Sequence, residues 1–409
     1  MLMNKFKLLS QLGCALAVTL CLTACSSNDD EDTENLVAEL VEITPAFEPE
    51  VLWDESIGYG VSDVFSRLKP VIAYDKVFSA SSDGDLIALD VKTGDELWSI
   101  DLSDVHNERG FFDNVSSAKL AGGVTTGLNK VFVGNENGDV YAVNADDGSL
   151  AWQEKIKGEV ISKPAFDSGT LVVNSVSGLI QAFNAETGAI LWAAEQSVPA
   201  LTLRGVSAPT VASGGVFIGS AKGNISVYIL ETGQQAWEVD IGEASGNTEL
   251  ERVVDIDAAA IVFGEHLYAV SSRGNVAAIE VKSGQLVWKR QYSSYRSLAI
   301  DGNSLFLTTN RGVIYALNRN DGLELWSSVA LTNRQVTGPV VFGKYIVVGD
   351  FEGYLHWLDQ ETGEIVARHH VDGSGIYVTP TVQNGILYSQ ARNGELEAIK
   401  IPEKIKAEL

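Results

Sequence analysis

Apolar and polar residues alternate in short runs along most of this chain, and each run breaks at a glycine-containing turn. One pattern recurs eight times: Gly-x-apolar-x-Ala-apolar-Asp/Asn, then x-x-Thr/Asp-Gly, then x-x-apolar-Trp. Its clearest copies are GDLIALDVKTGDELW (Gly84–Trp98), GDVYAVNADDGSLAW (Gly138–Trp152) and GVIYALNRNDGLELW (Gly312–Trp326). Period-2 alternation on both sides of a Thr-Gly or Asp-Gly turn predicts a β-hairpin. The leading glycines stand at 84, 138, 178, 223, 274, 312, 353 and 394, a period of roughly 40–45 residues in most copies. That length, with four short strands per unit, predicts the blades of a β-propeller.

From each of the first seven glycines the tryptophan position is 14 residues on, giving Trp98, Trp152, Trp192, Trp237, Trp288 and Trp326; the seventh is Ala367. Pro70, Pro164, Pro209, Pro339 and Pro380 each precede their glycine by the same 14 residues. All variation in length therefore falls between one blade's tryptophan and the next blade's opening. The eighth repeat ends at GELEAIKIPEK (Gly394–Lys404), without an outer strand. Near the N-terminus, EPEVLWDE carries Trp53 in the missing role, so Val51–Trp53 is predicted to complete blade eight and close the ring, removing open strand edges. The expected fold is all-β: an eight-bladed propeller of four-stranded antiparallel blades over residues 50–409. Its tryptophans are expected to pack on the neighbouring blade.

The 409 residues include 39 glycines and carry a net charge of −25, which excludes nucleic acid as a partner because phosphate binding needs clustered Lys and Arg. Residues 1–24 read as a secretory signal: Lys5 and Lys7, an apolar run from Leu8 to Leu22, then Leu22-Thr23-Ala24-Cys25. That tetrapeptide is similar to a bacterial lipobox, with Cys25 lipidated as the first mature residue. Serine at 26 favours the outer membrane over inner-membrane retention. Cys25 is then the only cysteine left, so no disulfide is expected. Losing two lysines takes the charge from −25 to −27. Ser26–Glu50 holds nine acidic residues and no basic one, and residues 25–49 are expected to form a flexible acidic tether.

Signals for chemistry are poor. There is no Gly-x-Ser-x-Gly, His-Glu-x-x-His or Cys-x-x-Cys. His369 and His370 are neighbours that a strand points to opposite faces. GPVVFGKY (Gly338–Tyr345) nearly matches a phosphate loop, but Tyr345 stands at the Ser/Thr position and a hairpin follows where a helix is required. No enzymatic activity, cofactor or metal is expected.

The hairpin unit resembles the repeat of quinoprotein alcohol dehydrogenases, which implies an alternative reading as a periplasmic quinoprotein-like oxidoreductase. Those enzymes use adjacent cysteines, calcium carboxylates and a catalytic Asp, and this mature chain has one cysteine. Lipobox, acidic tether and eight blades in about 400 residues together resemble the BamB family, the propeller lipoproteins of the outer-membrane β-barrel assembly machinery. The most particular stretches are LTLRGVSAPT (Leu201–Thr210), TELERVVDID (Thr248–Asp257), VVGDFEGYLHWLD (Val347–Asp359) and YSQARNGELEAI (Tyr388–Ile399). The resemblance implies a non-enzymatic scaffold that docks on POTRA domains of a BamA-type barrel-inserting subunit, with unfolded barrel proteins as clients. It further implies that Leu201, Leu203, Arg204, Asp255 and Asp257 serve the docking surface. Val206 stands where that family often has a charged residue.

Connector lengths point to the same rim. They run to 26 residues before blade two (98 to 124), 23 before blade five (237 to 260) and 17 before blade four (192 to 209), against 10–13 for blades three, six, seven and eight. Blades four and five are neighbours, so their long connectors rise together, and binding residues concentrate on such loops. Two leucines and an arginine have the composition of an interface core, with nearby aspartates able to orient the arginine. Read alone, Leu201 and Leu203 also suit inner-strand packing, and Asp255 and Asp257 a solvated loop or turn cap. A ligand-binding role for the central channel is a third possibility, for which the sequence singles out no residue.

Overall fold

Each repeat folds as its alternation predicts, into a short inner strand, two middle strands and an outer strand hydrogen-bonded in that order. The computed structural model describes residues 36–61, 66–103, 118–199, 205–242 and 254–402, and among them the chain forms eight four-stranded antiparallel sheets, the blades of an eight-bladed propeller. Two units divide the chain, Met1–Val37 and Ala38–Leu409. Of the first, only Leu36 and Val37 are described, in no strand or helix. Cys25 lies outside the described residues.

Blade three illustrates the local logic, with strands Ala165–Asp167, Thr170–Asn174, Leu179–Asn184 and Ile190–Glu195. Its middle strands lie between neighbouring blades, so Leu171, Val172 and Val173 are consecutive and all buried. The outer strand faces water, and only Trp192 in it is buried. In blade eight, Thr381–Gln383, Ile386–Gln390 and Glu395–Lys400 are completed by Glu50–Ser56, with Trp53 opposite Ala398. The N-terminal strand closes the ring.

The tryptophans clasp successive blades. Trp152 Nε1 donates to the Ala185 carbonyl of the next blade at 3.0 Å, and Trp98, Trp192, Trp237, Trp288, Trp326 and Trp53 make the equivalent bond at 2.7–3.2 Å. Each indole lies over the glycine of the next blade's turn. At Gly188, with φ +77°, a Cβ would stand 2.9 Å from Trp152 Cδ2, so both the backbone conformation and the indole demand glycine.

Blade seven departs from this scheme in an ordered way. In six of the other blades an alanine on the third strand faces the tryptophan, as in Ala182↔Trp192 and Ala316↔Trp326, and in blade four Val227 faces Trp237. In blade seven the pair is inverted to Trp357↔Ala367. In blade eight the outer strand comes from the N-terminal segment Glu50–Ser56, so no third-to-outer hairpin turn, and no turn glycine, stands there for an outer-strand indole of blade seven. Phe47 fills that side, 5.2 Å from the Tyr345 ring and 6.1 Å edge-on from Trp357.

Residues 38–47, inside the expected tether, are therefore seated on the body. Ala38 N donates to Thr332 O at 2.9 Å and Ala46 N to Val366 O at 2.7 Å. Arg334 Nη1 holds the Ala38 carbonyl at 3.0 Å, and Arg368 Nη1 the Val41 carbonyl at 3.2 Å. Both arginines belong to one network in blade seven. Arg334 Nε pairs with Asp350 at 2.8 Å, and the same Asp350 oxygen lies 2.9 Å from His356 Nε2. Arg368 Nε donates to His356 Nδ1 at 3.2 Å, which leaves the ring proton on Nε2 and the imidazole neutral. Burial pushes His356 below its ordinary pKa, opposed by the bond to Asp350. Composition misread this strap because main-chain bonds and one buried ring carry it. Phe47→Ala is expected to release it, seen as new proteolytic cleavage between residues 38 and 49 while the propeller stays resistant. Unchanged cleavage would mean that the arginine–carbonyl bonds suffice.

Candidate functional site

Asp255, Ile256 and Asp257 lead into the inner strand of blade five, Ile261–Phe263, and residues 205–209 into that of blade four, Thr210–Ala212. The two segments are stitched together. Ser207 Oγ donates to Ala258 O at 3.3 Å, and Thr210 Oγ1 to Ala260 O at 2.6 Å. On the other side, Asn174 Nδ2 of blade three donates to Ser207 O at 3.0 Å. The expectation that blades four and five present their connectors side by side holds for these described ends. Leu201, Leu203 and Arg204 lie outside the described residues.

The two aspartates do not form a solvated loop. Asp255 is 1% exposed and Asp257 5%. The Asp257 carboxylate lies against Gly205, the residue after Arg204; a Cβ at Gly205 would stand 1.8 Å from Asp257 Oδ1, so only glycine fits. Asp257 Oδ1 is buried with no hydrogen-bond partner. Burial raises the Asp257 pKa to about 6, the positive charge of Arg67 opposes the rise, and Asp255 adds to it.

Arg67 is the member that sequence reasoning missed. Its Nη1 donates to Val206 O at 2.8 Å and to Asp257 O at 3.0 Å, tying together segments 139 and 190 residues away. Burial lowers its pKa and Asp257 opposes that. Nothing in the chain order signals contacts at such separations. Val206 is buried with Ala121 and Ile161 in a small apolar cluster, which accounts for an apolar residue there. The arrangement is a rigid rim: backbone carbonyls clamped by one arginine, with a carboxylate held out of water. It suits recognition by preorganised groups.

The family described as outer membrane protein assembly factor BamB matches residues 82–328 and 310–403. An outer membrane protein assembly factor BamB of Shewanella oneidensis is 42% identical over 390 residues, covering 95% of this chain and 97% of the relative. The crystal structure of BamB from Moraxella catarrhalis superposes with a TM-score of 0.76 at 24% identity, over 86% of this chain and 99% of that one. A quinohemoprotein alcohol dehydrogenase from Comamonas testosteroni gives a TM-score of 0.65 at 13% identity, over 89% and 78% of the two chains, a likeness of fold alone.

Proposed function

This chain belongs to the BamB family of outer-membrane protein assembly factors, and from that premise we propose that it is a non-enzymatic scaffold. It docks on POTRA domains of a BamA-type barrel-inserting subunit and assists the folding and insertion of β-barrel proteins. Its lipidated Cys25 anchors it at the periplasmic face of the outer membrane. The docking surface is the rim of blades four and five, with Leu201, Leu203 and Arg204 meeting the partner.

The observation that carries this reading is the Asp257 carboxylate packed on Gly205, directly after that stretch. A buried carboxylate whose pKa rises to about 6 opposes folding at neutral pH, and such groups cluster at functional sites. Because Asp255 and Asp257 are buried, they act through the rim they shape and do not reach the partner themselves.

Arg204→Ala and Leu201→Ala are each expected to weaken capture of the barrel-inserting subunit roughly 30-fold, the equivalent of ~2 kcal/mol at an interface centre. Circular dichroism should be unchanged. Undiminished capture by both variants removes this stretch from the docking surface.

A further inference from the structure

The residue just before each blade's opening points toward the axis of the ring. Lys69 and Lys163 hold this position in blades one and three. Ala208, Ala259, Ser297, Gly338 and Thr379 hold it in blades four to eight, and all seven residues line one central cavity of about 200 Å³. Two long cations thus share space left open by five small side chains. Arg67, Asp257 and Arg296 complete the charged lining. Arg67 and Asp257 face each other and offset one another's charge, so among the described residues that line the cavity no carboxylate is left for Lys69, Lys163 and Arg296, in a protein of net charge −25.

None of these three makes an ion pair among the described residues. Lys69 and Lys163 are close enough to repel each other, an arrangement that costs free energy unless an anion lies between them. Gly123, with φ +75°, permits that closeness: a Cβ there would stand 3.0 Å from Lys163 Cβ and 3.1 Å from the Arg67 carbonyl. Arg296 donates Nη2 to Tyr295 Oη at 2.9 Å, but its Nε is buried with no acceptor. An adjoining cavity of about 220 Å³ shares Ser66, Tyr295, Arg296, Tyr377 and Val378. On its wall, Gln390 Oε1 accepts from Ser79 Oγ at 2.6 Å, which orients the amide and leaves Nε2 buried without an acceptor. Buried donors ordinarily find acceptors.

We infer that the centre of the ring binds a small multivalent oxyanion, carboxylate- or phosphate-bearing, held by Lys69, Lys163 and Arg296. Ammonium groups serve as point charges for such anions, and the arginine and Gln390 supply directional donors. A cavity of this size takes about seven waters, enough for an anion of pyrophosphate or citrate size and too little for a chain segment.

Burial and the neighbouring Lys69 lower the Lys163 pKa to about 8, and burial lowers that of Lys69. A bound anion favours the protonated lysines, so affinity falls as pH rises through about 8. Asp257 is already ionised there, and Arg67 and Arg296 keep their charge; Tyr295 and Tyr377 are the other titratable side chains on the cavity wall.

The test titrates the purified protein calorimetrically with inorganic pyrophosphate, with citrate, and with phosphatidylglycerol vesicles, beside the Lys69→Met/Lys163→Met variant. Methionine keeps the apolar stems and removes two desolvated charges, so this variant should fold. If it does not, Lys163→Gln replaces it, with a smaller expected loss of about threefold. The expected result is saturable binding to the wild type, weakened at least tenfold in the double variant and several-fold between pH 7 and pH 9. Binding of vesicles that the double variant loses assigns the oxyanion to a lipid headgroup; binding of soluble anions alone assigns it to a free solute. No saturable binding of any probe to the wild type, or equal binding to wild type and variant, overturns the inference.

Discussion

Replacing Trp357 by alanine is expected to destabilise the propeller by about 3–5 kcal/mol, the usual range for deleting a large buried aromatic side chain. The indole is fully buried in the core shared by blades seven and eight, beside Phe47, Tyr345 and Ala367. Its Nε1 is buried without an acceptor, unlike the seven indoles that donate to the next blade. Trp357→Phe should therefore cost much less than Trp357→Ala, since it removes an unsatisfied donor along with part of the volume. At Trp98, whose Nε1 reaches Ala145 O at 3.0 Å, phenylalanine forfeits a satisfied bond. Adding Ala367→Trp to Trp357→Ala should not restore stability, although it recreates the pairing of the other blades. Thermal midpoints of the four variants test this; recovery in the double variant would mean that the missing turn glycine is not what forced the inversion.

Asp257→Asn is expected to stabilise the folded chain at neutral pH by roughly 3 kcal/mol, the free-energy equivalent of a carboxyl pKa raised from 3.8 to about 6. Between those values the folded protein holds a proton that the unfolded chain has released. Stability from this group thus falls as pH climbs through that window, and the full penalty applies above about 6. The gain from asparagine should be near zero at about pH 3 and complete by about pH 7.5. Melting of the two proteins across this range measures it, and a gain independent of pH would contradict an origin in the Asp257 charge. If the carboxylate shapes the rim, the more stable variant should bind its partner less well, the trade-off expected where function keeps a destabilising group.

The fold was legible because a propeller repeats its own instructions. Fixed spacing from proline to glycine to tryptophan reports a blade's geometry, and Trp53, standing at the tryptophan position of an otherwise unfinished blade, marks the strand that closes the ring. Ala367 and Trp357 were readable as a loss and a gain in one blade, whereas their pairing across two strands was not, since it rests on register. The rim was readable only in part. The charges of Asp255 and Asp257 suggest a solvated loop, yet both are buried in space, and Arg67 and Gly205 reach Asp257 from distant positions. Nothing in their immediate sequence marks Lys69 and Lys163. Each is the residue before an opening proline, and reading that column of the repeat would have placed both on the axis.

Ring closure sets the order in which this molecule can be made. Glu50–Ser56 is synthesised first and its partner, Glu395–Lys400, last, with roughly 345 residues between Trp53 and Ala398. Bringing ends that far apart together carries an entropic cost of about 5 kcal/mol in a flexible chain, so the strand waits unpaired while seven blades form. Its sequence suits the wait: EVLWDES carries Glu50, Asp54 and Glu55, charges that discourage pairing with foreign strand edges. One of these charges meets its own kind on arrival, Asp54 opposite Glu397. Burial, then Asp54 and Glu397, raise the Glu395 pKa. Lys400 answers Glu50 at 3.1 Å, and His369 Nε2 lies within hydrogen-bond distance of Glu397 at 2.6 Å. The seal is thus a seam of crowded carboxylates held by its ladder, with Lys400 as the cation that answers one of them.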